Sequence, residues 1–299
     1  MDGSAIDWEA AANRWPDQEG GEVQVLAGSG FSDIPSALDQ SAQPRDQLVA
    51  SARTWGKELA DVGVNMNLAP VADLVDIARP ASNEPIGRWG REYGHDAATV
   101  SSQAGAFAEG MQASKVIPTY KHFPGLGRVK DNTDTSAGVV DSTTTRSADT
   151  AVSVIFGAAI AAGAPVIMVS SATYSLIDPS APAVFSSTIV TDMLRREMGF
   201  YGVVITDDVS AAVQVQDVSA GDRAVRAIRA GCDLVLASAV PTVALGGPDG
   251  GGGHGQGPHR HWPVRSGLRG AGGRVGHAGA EPEEEPAVLT RAEMRIGPP

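Results

Sequence analysis

The chain has little of what marks a disulfide-stapled or nucleic-acid-binding protein. Its 299 residues include one cysteine, Cys232, so no internal disulfide can form and packing must supply the stability. Cys232 lies in a predicted strand with no cation nearby to stabilise a thiolate, which predicts a core residue rather than a reactive thiol. Acids outnumber bases, and the formal net charge of -12 argues against a nucleic acid or an anionic membrane as partner.

No secretory signal or membrane span is evident either. The chain opens with Met1, Asp2 and Gly3, and no apolar core segment follows them. The uncharged stretch at residues 151–172 is long enough to cross a bilayer, but a break around Pro165 divides it into a buried helix and a buried strand. The sequence as given predicts a cytoplasmic protein, whereas a targeting segment upstream of it would place the protein at the cell envelope.

Helical and strand patterns alternate along residues 45–236. We predict helices at residues 45–62, 96–113, 148–162, 187–198 and 219–230, and strands at 65–71, 116–121, 166–171, 202–206 and 233–236. These strands are nearly all apolar, as expected for parallel strands that are covered on both faces. Since no Gly-x-Gly-x-x-Gly motif follows a first strand, we expect an α/β protein of the (β/α)8 TIM-barrel type rather than a dinucleotide-binding fold.

The two ends of the chain depart from this pattern. About sixteen residues precede Asp17, which is too short and too polar a segment for two barrel strands, so we expect a barrel that is incomplete at its N-terminal strands. Residues 241–299 hold 15 of the 36 glycines and four of the six histidines, which predicts a disordered low-complexity tail after a barrel domain at 1–240. The spacing of His254, His259 and His261 fits no compact metal site, so we expect no metal.

Two predicted strands end in groups that can perform chemistry. Residues 121–127, Lys-His-Phe-Pro-Gly-Leu-Gly, place a cation and an imidazole at the carboxyl end of a strand, where α/β proteins bind ligands. Lys121 and His122 would face opposite sides of a regular strand, so a structural role for one of them is the alternative. Asp207 ends another buried strand, where an unpaired carboxylate costs several kcal/mol unless it is used or paired. Its neighbour Asp208 is expected to point away and cap the following helix.

Three further segments carry candidate ligand-binding groups, each with a plain structural alternative. Residues 17–21, Asp-Gln-Glu-Gly-Gly, form either a loop in which Asp17 grips a ligand or a solvated turn. Arg91 can bind the hydroxyls or the carboxylate of a ligand, or it can form a surface ion pair. Asn132 and Asp134 lie in a long loop, where Asp134 is a candidate proton donor oriented by Asn132 and turn capping is the alternative.

Taken together and in this order, the segments resemble the barrel domain of glycoside hydrolase family 3 over about residues 14–240, and most closely its single-domain bacterial β-N-acetylglucosaminidase branch. The Lys-His-Phe-Pro-Gly-x-Gly segment is specific for that branch, and the Asp-Gln-Glu-Gly-Gly, Ala-Pro-Val-Ala-Asp and Thr-Asp-Asp segments agree with it. The resemblance implies a retaining hydrolase that removes terminal β-linked N-acetylglucosamine from saccharide or muropeptide substrates in peptidoglycan recycling, without cofactor. It implies that Asp207 is the nucleophile and that Asp17, Arg91, Lys121 and His122 hold the sugar.

The chain departs from the branch at several positions. The branch places Asp-Ser-His in the loop after the Pro-Gly turn, with the histidine as acid/base, whereas this chain has Asn132, Thr133 and Asp134. Because a carboxylic acid is the usual acid/base of glycosidases, we expect Asp134 to transfer the proton. Val25 replaces an arginine of the branch. A late start codon and a reading-frame shift near Leu245 would account for the departures at both ends.

Three alternatives remain open from the sequence. A β-glucosidase of the same family is the nearest, although the Phe-Pro-Gly turn disfavours it. A Schiff-base aldolase with Lys121 as nucleophile is a different class of barrel enzyme. The third is a truncated, non-catalytic barrel whose missing strands leave unpaired sheet edges.

Overall fold

The computed structural model describes residues 15–75, 78 and 80–238. The predicted tail at 241–299 lies outside the described residues, as do its histidines and Leu245. The helices are α1 (Ala37–Gln40), α2 (Arg45–Asp61), α3 (Ala97–Ala113), α4 (Gly157–Ala161) and α5 (Ala220–Ala230), with π-helical segments at Ala151–Phe156 and Thr188–Glu197 and 3-10 turns at Pro80–Ser82, Gly87–Trp89, Ala183–Phe185 and Val213–Val215. The strands are β1 (Gln18–Gly20), β2 (Val23–Gln24), β3 (Met66–Asn67), β4 (Ile117–Phe123), β5 (Val140–Asp141), β6 (Val166–Val169), β7 (Thr173–Tyr174), β8 (Asp178–Pro182) and β9 (Val203–Thr206).

The central sheet is parallel, with strand order β3-β4-β6-β9. Its two edges carry further neighbours, because the Leu68 N–H donates to the Pro16 carbonyl oxygen at 2.9 Å and Leu234 forms a parallel bridge with Ile205. The α/β class with parallel strands is therefore confirmed. Within the described part of the chain this sheet is open, so the predicted (β/α)8 barrel, expected to be incomplete at its N-terminal strands, is not confirmed.

The five predicted helices are confirmed, with bounds that differ by less than one turn. Asp96 begins α3 by accepting a hydrogen bond from the Thr99 N–H, and Ser219 begins α5 by accepting one from the Asp222 N–H. The predicted helices at 148–162 and 187–198 contain the π-helical segments Ala151–Phe156 and Thr188–Glu197. The π-helix, with its i→i+5 hydrogen bonds, is rare, and the sequence analysis did not predict it.

The sheet is buried on both faces, which explains its apolar strands. Alternate side chains divide between two clusters, because successive residues of a strand point to opposite faces. Val166 and Met168 of β6 belong to a small inner cluster, whereas Ile167 and Val169 pack with the helices in the main core. Cys232 is buried in the main core, where burial raises the pKa of its thiol to about 12, so the predicted core role is confirmed.

Two smaller sheets flank the sheet edge at which β4 and β9 end. Strands β1 and β2 pair antiparallel, and β5, β7 and β8 form a three-stranded sheet with β7 in the middle. Gly20 allows the close packing of the β1–β2 hairpin, because it has a φ of +107° and a Cβ there would lie 2.2 Å from the Pro35 carbonyl oxygen. No helix among the described residues is long and apolar enough to cross a membrane.

Candidate active site

Two cations and two carboxylates form a largely buried ion-pair group near the carboxyl end of β4. The Lys121 Nζ lies 2.5 Å from Asp17 Oδ1 and 2.6 Å from Glu19 Oε1. Arg91 donates from Nε and Nη2 to the two oxygens of Glu19 at 2.8 and 2.7 Å. This bidentate geometry fixes the orientation of the guanidinium plane relative to the carboxylate plane. The side chains of Lys121 and Glu19 are buried, whereas that of Asp17 is 42 % exposed, so Asp17 is the member most accessible to a ligand.

The members of the ion-pair group hold one another in their charged forms. Burial alone would raise the pKa of Glu19, but Arg91 and Lys121 lower it to about 2. Burial also disfavours the charge of Lys121, yet Asp17 and Glu19 raise its pKa above the usual value. A Schiff-base nucleophile needs a lysine whose pKa is lowered, so that the amine is neutral. The structure therefore contradicts the aldolase alternative, because Lys121 stays a cation.

His122 is buried beside Lys121 and is held by Asp73. One oxygen of Asp73 accepts from the backbone N–H groups of His122 and Leu126, at 3.1 and 2.7 Å. The other lies 2.7 Å from the His122 Nδ1. The contact with Asp73 occupies Nδ1, so Nε2 is the ring nitrogen available for a ligand.

The Pro-Gly turn after β4 is fixed by close packing. A Cβ at Gly127 would lie 2.2 Å from the Leu74 carbonyl oxygen, so only glycine permits this approach of the two backbones. The Tyr174 hydroxyl donates to the Gly125 carbonyl oxygen at 2.8 Å. The turn therefore leads the chain from the sheet edge into the loop that carries Asp134.

Asp134 lies in a tight turn of that loop. The Asn132 Oδ1 accepts from the Asp134 N–H at 2.9 Å, and the Asn132 carbonyl oxygen accepts from the N–H groups of Thr135 and Ser136. Asn132 thus contacts the backbone of Asp134 and not its carboxyl group, which is the turn-capping alternative considered for this segment. The orientation of the Asp134 carboxyl by Asn132 is therefore indirect, through the shape of the turn.

Asp207 follows β9 directly, at the same edge of the sheet as the ion-pair group. Its N–H donates to the Val169 carbonyl oxygen at 2.9 Å, which continues the pairing with β6. Its Oδ1 accepts from the Asp208 N–H at 2.9 Å. Asp208 in turn accepts from the N–H and the hydroxyl of Ser210, at 2.8 and 2.6 Å, so it stabilises a turn. The prediction that Asp208 caps the following helix is wrong, because Ser219 caps α5.

Three other predicted site residues, Asp207, His122 and Arg91, change the pKa of the Asp134 carboxyl group through their charges. Desolvation raises the pKa of Asp134, the Asp207 carboxylate raises it further, and His122 and Arg91 lower it, with a result of about 6 against the usual 3.8. The residue as a whole remains exposed, so water screens part of the repulsion. A carboxyl group whose pKa is raised in this way can hold a proton and act as a general acid nearer neutral pH.

Sequence reasoning missed two residues of this site. Glu19 lies inside the segment 17–21, and the order Asp-x-Glu could have indicated that Asp17 and Glu19 share one side of an extended strand. Asp73 ends the Ala-Pro-Val-Ala-Asp segment, where an acid after an apolar run was the same signal that identified Asp207. Both residues are buried, and each is bound to a cation or an imidazole of β4.

The chain is similar to known proteins. The family described as "Glycosyl hydrolase family 3 N terminal domain" matches residues 15–247. A "Beta-hexosaminidase" from Stenotrophomonas maltophilia is 35% identical over 229 residues, and an "Uncharacterized secreted glycosyl hydrolase" from Arthroderma benhamiae is 37% identical over 226. Each alignment covers 74% of this chain. The chain spans 65% of the length of the Stenotrophomonas protein and 62% of that of the Arthroderma protein.

Solved structures are also similar to this chain. The crystal structure of a β-N-acetylhexosaminidase from Beutenbergia cavernae superposes with a TM-score of 0.74 at 59% sequence identity, covering 76% of this chain and 67% of that one. A family 3 β-N-acetylglucosaminidase from Paenibacillus superposes with a TM-score of 0.67 at 30% identity, covering 74% of this chain and 41% of that one. The chain therefore belongs to glycosyl hydrolase family 3 and contains the N-terminal domain of that family.

Proposed function

We propose that the protein is a retaining β-N-acetylhexosaminidase that removes terminal β-linked N-acetylglucosamine from peptidoglycan fragments. The proposal is supported by the electrostatic interaction of Asp134 with Asp207, which raises the pKa of Asp134, and by the ion-pair group at the same edge of the sheet. The relatives named as hexosaminidases support the choice of substrate. We also infer that the parallel sheet is part of a (β/α)8 barrel, in which the ends of several strands form one site.

The ion-pair group and His122 supply the binding surface for the sugar. Asp17 is partly exposed while one of its oxygens contacts Lys121, so the carboxylate can accept a hydrogen bond from a sugar hydroxyl. The Nε2 of His122 can bind a second hydroxyl, because Asp73 occupies the other ring nitrogen. Since Glu19 fixes both Arg91 and Lys121, these cations are oriented before the substrate arrives, which lowers the entropy cost of binding.

Two carboxyl groups then perform the reaction. Asp207 attacks the anomeric carbon while protonated Asp134 gives its proton to the leaving oxygen, which forms a covalent glycosyl-enzyme and releases the aglycone. Asp134, now ionised, takes a proton from water, and that water releases the sugar with its original configuration. This route requires the carboxyl groups to be about 5 to 5.5 Å apart in the working geometry. No step requires a metal or an organic cofactor.

The first test is hydrolysis by the chain as given. Purified protein should release nitrophenol from the nitrophenyl N-acetyl-β-glucosaminide faster than from the nitrophenyl β-glucoside, which separates the proposal from the β-glucosidase alternative. The Asp207→Ala variant should keep the thermal unfolding midpoint of the parent protein and lose turnover. Proton NMR of the first product should show the β-anomer before mutarotation, and an α-anomer would refute retention.

The role of Asp134 has a test of its own. The Asp134→Ala variant should lose roughly 100-fold or more in kcat/KM on a disaccharide, because general acid catalysis supplies about that factor for a poor leaving group. The loss should be much smaller on a dinitrophenyl glycoside, whose leaving group needs no proton. Added azide should raise kcat of the variant by replacing water in the second step, with a β-glycosyl azide as product. An equal loss on both substrates would remove the acid role from Asp134.

A further inference from the structure

The loop that carries Asp134 is linked to the segment after Asp207 by one glutamine. The Gln214 N–H donates to the Thr133 carbonyl oxygen at 3.1 Å. The Gln214 Oε1 accepts from the Val139 N–H at 2.8 Å, and its Nε2 donates to the Val139 carbonyl oxygen at 3.2 Å. One residue thus holds both ends of the span 133–139, which we call the Gln214 clamp.

The clamp connects two elements that would otherwise be positioned separately. The hydrogen bonds of Asn132 lie inside the loop, so they determine the shape of the turn around Asp134. The bond from the Thr173 N–H to the Val139 carbonyl oxygen ties the end of the loop to the small sheet of β5, β7 and β8. Gln214 lies outside this loop, in the 3-10 turn Val213–Val215, which follows β9 and the proposed nucleophile Asp207.

The partners of the clamp are well protected from water. Thr133 and Val139 are 1% and 3% exposed, although Asp134 between them is exposed. Hydrogen bonds to such buried groups are costly to leave unmade, because the freed donor or acceptor finds no water. Loss of the side-chain bonds of Gln214 therefore favours a displaced loop over a loop that stays in place with an unpaired Val139 N–H, since the Val139 carbonyl oxygen keeps its bond from Thr173.

We propose that Gln214 is a positioning residue that sets the location of Asp134 opposite Asp207. The inference rests on the proposed role of Asp134 as the proton donor. A general acid must lie within hydrogen-bond reach of the atom that it protonates. A misplacement of about 1 Å can cost on the order of 100-fold in rate, so a glutamine that never contacts the substrate can control the acid step.

A positioning role has a kinetic signature that a purely structural role lacks. Displacement of Asp134 should slow the cleavage of a poor leaving group, which needs the proton, and should scarcely slow that of a good one. The parameter to compare is kcat/KM, because it reports the steps up to formation of the glycosyl-enzyme and excludes its hydrolysis. The two substrates are a disaccharide of β-linked N-acetylglucosamine and the 2,4-dinitrophenyl N-acetyl-β-glucosaminide.

The Gln214→Met variant preserves the size of the side chain and removes both of its hydrogen bonds. We expect kcat/KM to fall roughly 10- to 100-fold on the disaccharide and less than about threefold on the dinitrophenyl substrate. Gln216→Ala is the matched control, since Gln216 is exposed near the same turn and its Nε2 bonds only to the nearby Ala211 carbonyl oxygen at 3.3 Å. This control should leave both values within about twofold of the parent.

The outcomes separate this inference from the proposed function. An equal loss on both substrates, or no loss while Asp134→Ala shows the selective loss, overturns the positioning role of Gln214. If Asp134→Ala shows no selective loss, the assignment of the acid fails, and the inference fails with it. If Gln214→Met does not fold, Gln214→Glu replaces it, because that variant keeps the acceptor for the Val139 N–H and loses the donor. A folded Gln214→Glu protein with the parent ratio of the two kcat/KM values also overturns the proposal.

Discussion

The repulsion between Asp134 and Asp207 can be measured without any assay of activity. The structure raises the pKa of Asp134 to about 6, first through desolvation and then through the charge of Asp207. The change Asp207→Asn removes that charge and keeps the shape of the side chain. The pKa of Asp134 should therefore fall, but it should stay above the usual 3.8 because the larger cause, desolvation, remains.

The size of the decrease follows from Coulomb's law. Two unit charges about 5.5 Å apart repel by roughly 0.8 kcal/mol in water and by roughly 3 kcal/mol at an effective dielectric constant of 20. These energies correspond to about 0.5 and about 2 pKa units. Because Asp134 is exposed, water screens the pair, so we expect a decrease in the lower half of this range, about 0.5 to 1 unit.

The assay is a carbon-13 NMR titration of the Asp134 carboxyl group in protein labelled at aspartate, with Asp134→Asn protein used to assign the signal. The same titration of an Asp208→Asn variant is the control, because Asp208 is the weaker of the two carboxylates that raise this pKa. It should lower the pKa less than Asp207→Asn does. An unchanged pKa in Asp207→Asn protein would show that the two carboxyl groups are not neighbours, and would refute the pairing on which the mechanism depends.

The remaining predictions concern the residues that hold the site. Glu19→Gln should lower the free energy of unfolding by roughly 3 to 5 kcal/mol in urea, because it leaves Arg91 and Lys121 buried with too little negative charge; a loss below about 1 kcal/mol would contradict this. Since the pKa of Glu19 falls from 4.5 to about 2 on folding, its stabilisation is present above pH 4.5 and is lost as the pH falls toward 2, so stability of the Glu19→Gln protein should depend less on pH in that window. Gly127→Ala should destabilise the protein by about 1 to 3 kcal/mol, because the added Cβ would lie 2.2 Å from a backbone oxygen. The control is Gly105→Ala in α3, which should be neutral or stabilising because a Cβ there has no neighbour within 4 Å. Similar effects of the two changes would refute the packing argument.

Most positions of helices and strands were predictable because they depend on local spacing, although of the predicted strand at 233–236 the structure has only a single bridge at Leu234. The apolar run before Asp207 and the run before Lys121 both end at the residues where β9 and β4 end their regular pairing, within a few positions. Parallel strands that are buried on both faces have few polar residues, so a polar residue after such a run is a strong signal. The same signal was present at Asp73, but it was not interpreted as a site residue.

The contacts within the site were not predictable, because their partners are distant in the sequence. Lys121 and Asp17 are 104 positions apart, Arg91 and Glu19 are 72 apart, and Gln214 and Val139 are 75 apart. The sequence could not show that Lys121 forms ion pairs with both Asp17 and Glu19. The aldolase alternative therefore remained open until the structure showed these two ion pairs.

The sequence by itself determined the α/β class, the residues at the strand ends and the resemblance to one family, since each of these follows from local patterns of residue type. The tertiary structure decided which of these residues meet: it paired Glu19 with two cations, bound His122 to Asp73 and brought Asp134 into the field of Asp207. It could do so because charge and hydrogen bonding act over a few ångströms in space, and folding alone determines which distant parts of a chain come that close.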